Sequence, residues 1–162
     1  MTNITNTITE NTTVAITENI TENDPVNHPG HYTQGPFECI ELTSKLDFLV
    51  GNAVKYLWRH NDKAKPVQDL EKAKWYWDYT DNPFKTLVNK DLEYQNAVSS
   101  YLRILINNDF ADLNDIWAMM LNGMRMYERG EMGAHTAEMA KKVISNAIQD
   151  HIDQLNTADT TN

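Results

Sequence analysis

Apolar residues recur at helical spacing over residues 113–127, and this pattern constrains the fold more than any other feature of the sequence. They stand at i, i+3, i+4, i+7, i+8, i+11 and i+14, as Leu113, Ile116, Trp117, Met120, Leu121, Met124 and Tyr127. This spacing places them along one stripe of an α-helix, and the stripe must pack against another element. No stretch of the chain alternates apolar and polar residues as a half-buried strand does. The sequence therefore predicts an all-α fold, a small multi-helix bundle.

Further stretches show the same apolar rhythm, separated by Gly, Pro, Asn and Asp residues. We expect helices over residues 36–48, 51–59, 66–79, 84–107 and 136–155. Pro66 suits the first position of its helix, and Asp81-Asn-Pro83 stops that helix. The long apolar stripes of the C-terminal half exceed the needs of one small core. We therefore expect a subunit interface there, and a homo-oligomer.

The two ends of the chain differ in composition from its middle. Residues 1–24 contain Ile-Thr-Glu-Asn three times, with four acidic residues and no Lys or Arg. Such a tract buries too little apolar surface to offset the entropy of ordering. We expect a disordered tail at 1–24, a core unit at 25–81, C-terminal helices at 82–156 and a short tail at 157–162.

The charge and cysteine content limit the classes of partner. The net charge is −9, which argues against nucleic acid or an anionic membrane as the main partner. Residues 25–81 carry seven basic and eight acidic residues, so a small anion fits this segment better than a polyanion does. No apolar run is long enough to span a membrane and no signal peptide is evident, so we expect a cytoplasmic protein with no membrane partner. Cys39 is the only cysteine, and we interpret it as a packing residue.

One polar stripe lies on the predicted helix 51–59. It consists of Asn52, Lys55, Tyr56 and Arg59, while Ala53, Val54, Leu57 and Trp58 fall on the opposite, packing face. Lys55 and Arg59 lie one turn apart, so this face can hold phosphate, Arg bidentately and Lys as a point charge. Trp58, Trp75 and Trp77 are expected in the core.

A second polar set and a loop add further candidates. They are Asp69, Lys72 and Tyr76 on the helix 66–79, and His28, His31 and Tyr32 in the loop before residue 36. His31 is a candidate general base because imidazole titrates near neutrality. Periodicity alone favours two amphipathic helices that have solvated polar faces.

The order and separation of these motifs resemble a known family. The blocks are His-Pro-x-His-Tyr, Glu-x-Ile, Gly-Asn-x-x-Lys-Tyr-x-x-Arg and Asp-Leu-x-Lys-Ala-x-x-Tyr. The matching residues are His28, Pro29, His31, Tyr32, Glu38, Ile40, Gly51, Asn52, Lys55, Tyr56, Arg59, Asp69, Leu70, Lys72, Ala73 and Tyr76. They resemble a small bacteriophage domain that includes the nucleotide kinase of podoviruses infecting enteric bacteria. The resemblance covers about a third of the chain, and residues 60–65 depart from the glycine-containing basic turn usual in the family, which leaves substrate choice open.

The resemblance implies a nucleoside monophosphate kinase-like enzyme in the cytoplasm of the infected bacterial host. Its reaction would move a phosphoryl group from a nucleoside triphosphate to a deoxynucleoside monophosphate, without the Gly-x-x-x-x-Gly-Lys-Ser/Thr loop, which this chain lacks. The catalytic candidates are His31, Arg59 and Asp69. The candidates for binding substrate and phosphate are His28, Tyr32, Asn52, Lys55, Tyr56, Lys63, Lys72 and Tyr76. A requirement for Mg²⁺ stays open.

Two alternatives also stay open. Glu38 and Glu41 share a helical face and, joined by Asp69, resemble the Mg²⁺ site of all-α nucleoside triphosphate pyrophosphohydrolases. Those enzymes use a second acidic pair, whereas this chain has Lys72 three residues after Asp69. The other alternative is a non-catalytic phage module that binds nucleotides, or a host protein, through the same cationic face.

Overall fold

Every regular element in the described part of the chain is a helix. The computed structural model describes residues 28–62, 64–88 and 92–159. Its α-helices are α1 (Gly30–Thr33), α2 (Cys39–Thr43), α3 (Phe48–Arg59), α4 (Pro66–Tyr79), α5 (Pro83–Val88), α6 (Leu92–Asn107), α7 (Asn114–Glu128) and α8 (Ala134–Asp159). Short 3₁₀ turns, His60–Asp62 and Phe110–Asp112, follow α3 and precede α7. The predicted all-α fold is confirmed, and among these helices none has the length and apolar character needed to cross a membrane.

Helix α4 connects the two halves of the molecule, because it packs against both α3 and α8. Its buried residues are Leu70, Ala73 and Trp77, with Asp69 as a buried charge. The Trp77 indole N–H donates a hydrogen bond to the Lys141 carbonyl of α8 at 3.0 Å. Helix α7 packs in turn against α5, α6 and α8. The core formed by α3 and α4 is therefore continuous with that of the C-terminal helices.

The two faces predicted for α3 are confirmed. Ala53, Val54, Leu57 and Trp58 are buried, whereas Asn52, Lys55, Tyr56 and Arg59 are partly exposed. Burying the apolar stripe against α4 fixes the rotation of α3 about its axis. The polar stripe is thereby held at the surface.

The single helix predicted over 36–48 is wrong. Helix α2 ends at Thr43, and α3 begins only at Phe48. Asp47 occupies the N-cap of α3, where its carboxylate accepts a hydrogen bond from the Val50 amide at 2.9 Å. The spacing of apolar residues across 36–48 gives no sign of this cap, but the cap sets the start of α3.

The other predicted boundaries were of mixed accuracy. Helix α4 has the predicted bounds, with Pro66 in its first turn. The helix expected over 84–107 is two helices, α5 and α6, and residues 89–91 between them lie outside the described residues. Helix α8 continues past the expected end at residue 155 to Asp159. The predicted tail at 1–24, residues 160–162 and Lys63 also lie outside the described residues.

Single-residue packing predictions separate into two groups. Trp58 and Trp77 are buried as expected, and so is Cys39, whose burial raises the pKa of its thiol to about 12. The prediction for Trp75 is wrong, because its side chain is 58% exposed on α4. An apolar residue of the α4 sequence thus remains at the surface.

Candidate functional site

Arg59 forms the centre of the polar surface on α3 and α4. Its Nε and Nη2 groups donate to the two carboxylate oxygens of Asp69 at 2.8 and 3.1 Å, and Nη1 donates to the Tyr32 hydroxyl at 3.1 Å. The Asp69 side chain is 4% exposed and that of Arg59 is 14% exposed. Burial alone would lower the pKa of Arg59, but the hydrogen bonds to Asp69 and Tyr32 raise it. The bidentate edge of Arg59, expected to bind phosphate, is occupied by Asp69.

Three cations surround the ring of Tyr56. Lys55 Nζ and the Arg59 guanidinium carbon lie 4.6 Å from the ring centroid, and Lys72 Nζ lies 5.5 Å from it. The ring face attracts each of them by a cation–π interaction. Asp69 pairs with Arg59 and, at 3.4 Å, with Lys72. Lys55, Arg59 and Lys72 are called the cationic cluster below, and their three positive charges exceed the single negative charge of Asp69.

Lys55 differs from the other two cations in its partners. Its ammonium donates to the Asn52 side-chain oxygen at 2.7 Å, and the Asn52 amide donates to the Phe48 carbonyl at 2.7 Å. Partial burial lowers the pKa of Lys55, and the charge of nearby Arg59 lowers it further. Within the described part of the chain, no carboxylate lies within ion-pair distance of its ammonium. Asn52 therefore orients Lys55, and the lysine retains its capacity to bind an anion.

Two pockets adjoin each other at Lys55. The first, pocket A, has a volume of about 240 Å³, and its lining includes Tyr32, Cys39, Ile40, Thr43 and Lys55. The second, pocket B, has a volume of about 200 Å³, and its lining includes Thr43, Phe48, Gly51, Asn52 and Lys55. Thr43 and Lys55 line both pockets. Lys55 is therefore the basic residue that both pockets have in common.

The two loop histidines lie in different surroundings. The Nδ1 atom of His28 is 2.9 Å from a carboxylate oxygen of Glu38, the N-cap residue of α2. The ring of His31 packs against that of Tyr32, with 4.2 Å between centroids. Burial raises the pKa of Asp62, and the nearby charge of His31 partly offsets this effect. His31 thus contacts Tyr32, which in turn accepts a hydrogen bond from Arg59, whereas His28 contacts Glu38 at the start of α2.

Glu38 and Glu41 have a structural role at the start of α2. They form a capping box, in which the Glu41 carboxylate accepts from the Glu38 backbone amide at 3.0 Å. The other carboxylate oxygen of Glu41 accepts from the Tyr101 hydroxyl at 3.0 Å. Residues 28–62, 64–88 and 92–159 contain no group of three His, Cys, Asp or Glu side chains arranged to hold a metal ion. The carboxylates of the Mg²⁺ alternative are therefore engaged in capping and tertiary contacts.

Most of the predicted site residues lie together around Arg59 and Tyr56. They are Tyr32, Asn52, Lys55, Tyr56, Arg59, Asp69, Lys72 and Tyr76, with His31 beside Tyr32. His28 is separate, and Lys63 lies outside the described residues. Sequence reasoning missed Thr43 and Phe48, which line the pockets. The signal that could have identified Phe48 is Asp47, because an N-cap there places Phe48 at the exposed first turn of α3.

Comparison with known proteins identifies the same segment. Residues 26–78 match the sequence model of a family described as a protein of unknown function (DUF3310). This match covers about a third of the chain and includes every predicted site residue. No curated protein and no solved structure shows a significant match.

Proposed function

We propose that the polar surface of α3 and α4 binds nucleotide phosphates at Lys55 and supports nucleotide kinase-like transfer. The γ-phosphoryl group of a nucleoside triphosphate would pass to a phosphate oxygen of a deoxynucleoside monophosphate. The products are a nucleoside diphosphate and a deoxynucleoside diphosphate. The kinase step comes from the family resemblance, and the phosphate-binding step comes from the geometry.

One observation carries the proposal, namely that Lys55 lines two adjoining pockets. A phosphoryl transfer enzyme must bring two anionic groups together and neutralise their charge. Pockets A and B share Lys55, and within the described residues its ammonium has no carboxylate partner. Arg59 and Lys72 also lie over the ring of Tyr56, and their charges add to the positive potential around Lys55. Each pocket also has one carboxylate residue in its lining, Glu38 in pocket A and Asp47 in pocket B, and Lys55 is the basic residue that each pocket offers to a phosphate-bearing ligand.

The other residues have supporting roles in this proposal. Asp69 is a positioning residue, because it holds Arg59 through two hydrogen bonds. Arg59 still has two N–H groups beyond the three that donate to Asp69 and Tyr32, since guanidinium carries five. A phosphate oxygen that reaches Arg59 can accept hydrogen bonds from these two groups. His31 is the proposed group that orients or deprotonates the acceptor.

The test is product analysis by ion-exchange chromatography. The full chain is incubated with dTMP or dGMP and a panel of nucleoside triphosphates, in Mg²⁺ and in EDTA. We expect diphosphates to form from both reactants, and the two conditions establish whether a metal is required. If the triphosphate alone gives monophosphate and pyrophosphate, the protein is a pyrophosphohydrolase and the kinase proposal is wrong. Unchanged nucleotides would contradict turnover and leave only binding.

A matched pair of lysine variants tests the role of Lys55. Lys55→Met approximately keeps the length of the side chain and removes its charge, so we expect kcat/KM to fall by about 100-fold or more. Lys45→Met is the control, because Lys45 also lies over an aromatic ring, at 5.5 Å from the Tyr94 centroid, but lines neither pocket. We expect its activity to match that of the unsubstituted chain. Equal activity in both variants would remove Lys55 from the site.

A further inference from the structure

Four aromatic residues form a continuous row on the surface of α3 and α4. They are Phe48, Tyr76, Trp75 and Tyr79, called the aromatic row below. Phe48 is 72% exposed, Trp75 is 58% exposed and Tyr79 is 67% exposed. Ring centroids are 6.0 Å apart for Phe48 and Tyr76, 5.0 Å for Tyr76 and Trp75, and 5.2 Å for Trp75 and Tyr79. Exposed rings that contact one another form a connected apolar patch, unlike singly scattered surface residues.

The aromatic row is joined to the cationic cluster. Tyr76 stacks on Tyr56, with centroids 5.7 Å apart and planes 16° apart, and the cations surround Tyr56. Phe48 lines pocket B together with Lys55, and its carbonyl accepts the hydrogen bond from Asn52 that orients this lysine. Planar rings and positive charge are thus adjacent on one surface.

We propose that the aromatic row is the base-stacking half of a nucleotide site whose phosphates lie at Lys55. This inference rests on the proposed function and adds to it the place where one nucleobase binds. A nucleotide combines a planar base with phosphates, which matches rings beside ammonium groups. Apolar packing alone would not require the positive charge at one end of the patch. This complementarity favours a nucleotide over a second copy of the chain as the occupant.

The mode of binding carries a consequence for specificity. Every nucleobase has a π-face, so stacking on aromatic side chains tolerates different bases. We therefore expect this half of the site to accept purine and pyrimidine nucleotides with similar affinity.

Trp75 provides a direct probe of the aromatic row. The chain has four tryptophans, and Trp58, Trp77 and Trp117 are buried, so Trp75 is the one at the surface. A base that stacks at the row should quench its fluorescence in a saturable titration of the full chain with dATP or dCTP. Inorganic tripolyphosphate carries the phosphates without a base. We expect it to compete with the nucleotide and to leave the fluorescence unchanged.

Three variants separate stacking from phosphate binding, with affinities measured by calorimetry. Phe48 and Tyr79 lie at opposite ends of the row, and one base stacks on neighbouring rings. At least one of Phe48→Ala and Tyr79→Ala should therefore weaken nucleotide binding by about 5-fold to 100-fold, the range that loss of one stacking ring produces. Both variants should leave the affinity for tripolyphosphate unchanged, whereas Lys55→Met should weaken the binding of both nucleotide and tripolyphosphate. Tyr94→Ala is the control, since Tyr94 is an exposed ring beside Lys45 outside the aromatic row. Because all three aromatic side chains are exposed, we expect every variant to keep the far-ultraviolet circular dichroism of the parent.

The outcomes distinguish this inference from the proposed function. Nucleotide binding that needs Lys55 but is the same in Phe48→Ala and Tyr79→Ala would overturn the stacking site and leave the proposed function standing. A chain that binds neither nucleotide nor tripolyphosphate would overturn both. Fluorescence of Trp75 that changes with protein dilution and not with nucleotide, together with row variants that lose self-association in sedimentation, would assign the row to a second copy and overturn the inference.

Discussion

At the scale of single residues, two aspartates of α4 show how burial sets the energy of an ion pair. Asp69 pairs with Arg59 where both side chains are largely buried, whereas Asp78 pairs with Lys74 where both are partly exposed. Solvent screens the exposed pair, so its net contribution is small. Breaking a buried pair leaves an unpaired charge without its solvation.

We therefore expect different costs for the same substitution at the two aspartates. Asp69→Asn should lower the free energy of unfolding by about 3 kcal/mol, because Arg59 keeps its charge and loses its carboxylate. Asp78→Asn should change it by less than about 1 kcal/mol. Urea denaturation followed by circular dichroism measures both. Equal, small effects would mean that solvent reaches Arg59 and compensates for the lost carboxylate.

His60 offers a second residue-scale test, in the pH dependence of stability. It is buried, and its Nδ1–H group donates to the Leu57 carbonyl at 2.9 Å. Burial lowers its pKa, and the nearby charge of His151 lowers it further. The hydrogen bond to Leu57, and to a smaller extent Asp112 and Asp62, partly offset these effects. The unfolded chain, in which histidine has a pKa of about 6.5, then binds the proton more readily than the folded chain does. The contribution of neutral His60 to the free energy of unfolding should therefore be fully present above this pH and should be lost as the pH falls below it.

His60→Asn removes the titration and keeps a side-chain N–H that can donate to Leu57. We expect the decline in the free energy of unfolding between about pH 6.5 and pH 5 to become shallower in this variant. His135→Asn, at an exposed position of α8, should retain the parental decline. Denaturant titrations at a series of pH values make the comparison. An unchanged slope in His60→Asn would assign the acid sensitivity to other groups.

At the scale of elements, close approach between helices decides which residues are tolerated. A Cβ atom added at Gly123 of α7 would lie 2.1 Å from the ring of Phe84, which is fully buried on α5. The same atom at Gly133, just before α8, would meet nothing within 4 Å. Gly123 thus permits α5 and α7 to pack together, which the helical pattern of the sequence does not reveal.

Alanine substitution at the two glycines tests this contact. Alanine favours a helix interior over glycine by about 1 kcal/mol, but overpacking of a core costs about 1–3 kcal/mol. The ring of Phe84 is fully buried, so it can make room only by displacing its neighbours, and we expect Gly123→Ala to lower the melting temperature. Gly133→Ala should leave it nearly unchanged. Differential scanning calorimetry reports both, and a raised melting temperature in Gly123→Ala would mean that α5 shifts to accommodate the methyl group.

At the scale of the whole molecule, the segment that carries the candidate site is not packed by itself. Helix α4 supplies Asp69 and Lys72 from one face and buries Leu70, Ala73 and Trp77. It packs against both α3 and α8, and Trp77 donates to a carbonyl of α8. The orientation of the site residues on α4 therefore depends on helices beyond the segment that matches the family.

We expect a fragment of residues 26–81 to lose cooperative folding. Without α8, the fragment would expose apolar side chains of α4, and so short a chain gains too little burial to compensate. Residues 26–159 should melt cooperatively under the same conditions. Thermal denaturation followed by far-ultraviolet circular dichroism measures both. A cooperative transition in the short fragment would show that α3 and α4 form an independent unit.

The sequence by itself determined the helical class, the bounds of α4, the two faces of α3 and most members of the candidate site. These features follow from periodicity and local chemistry, which act within a turn or two of the chain. The tertiary structure decided what the same residues contact. Arg59 pairs with Asp69 ten residues away and with Tyr32 twenty-seven residues away, and Lys55 lines two pockets whose walls come from separate helices. Trp75, which was expected in the core, is exposed, whereas α4 buries Trp77. Such contacts depend on how helices pack in space, and spacing along one helix carries no information about its neighbours.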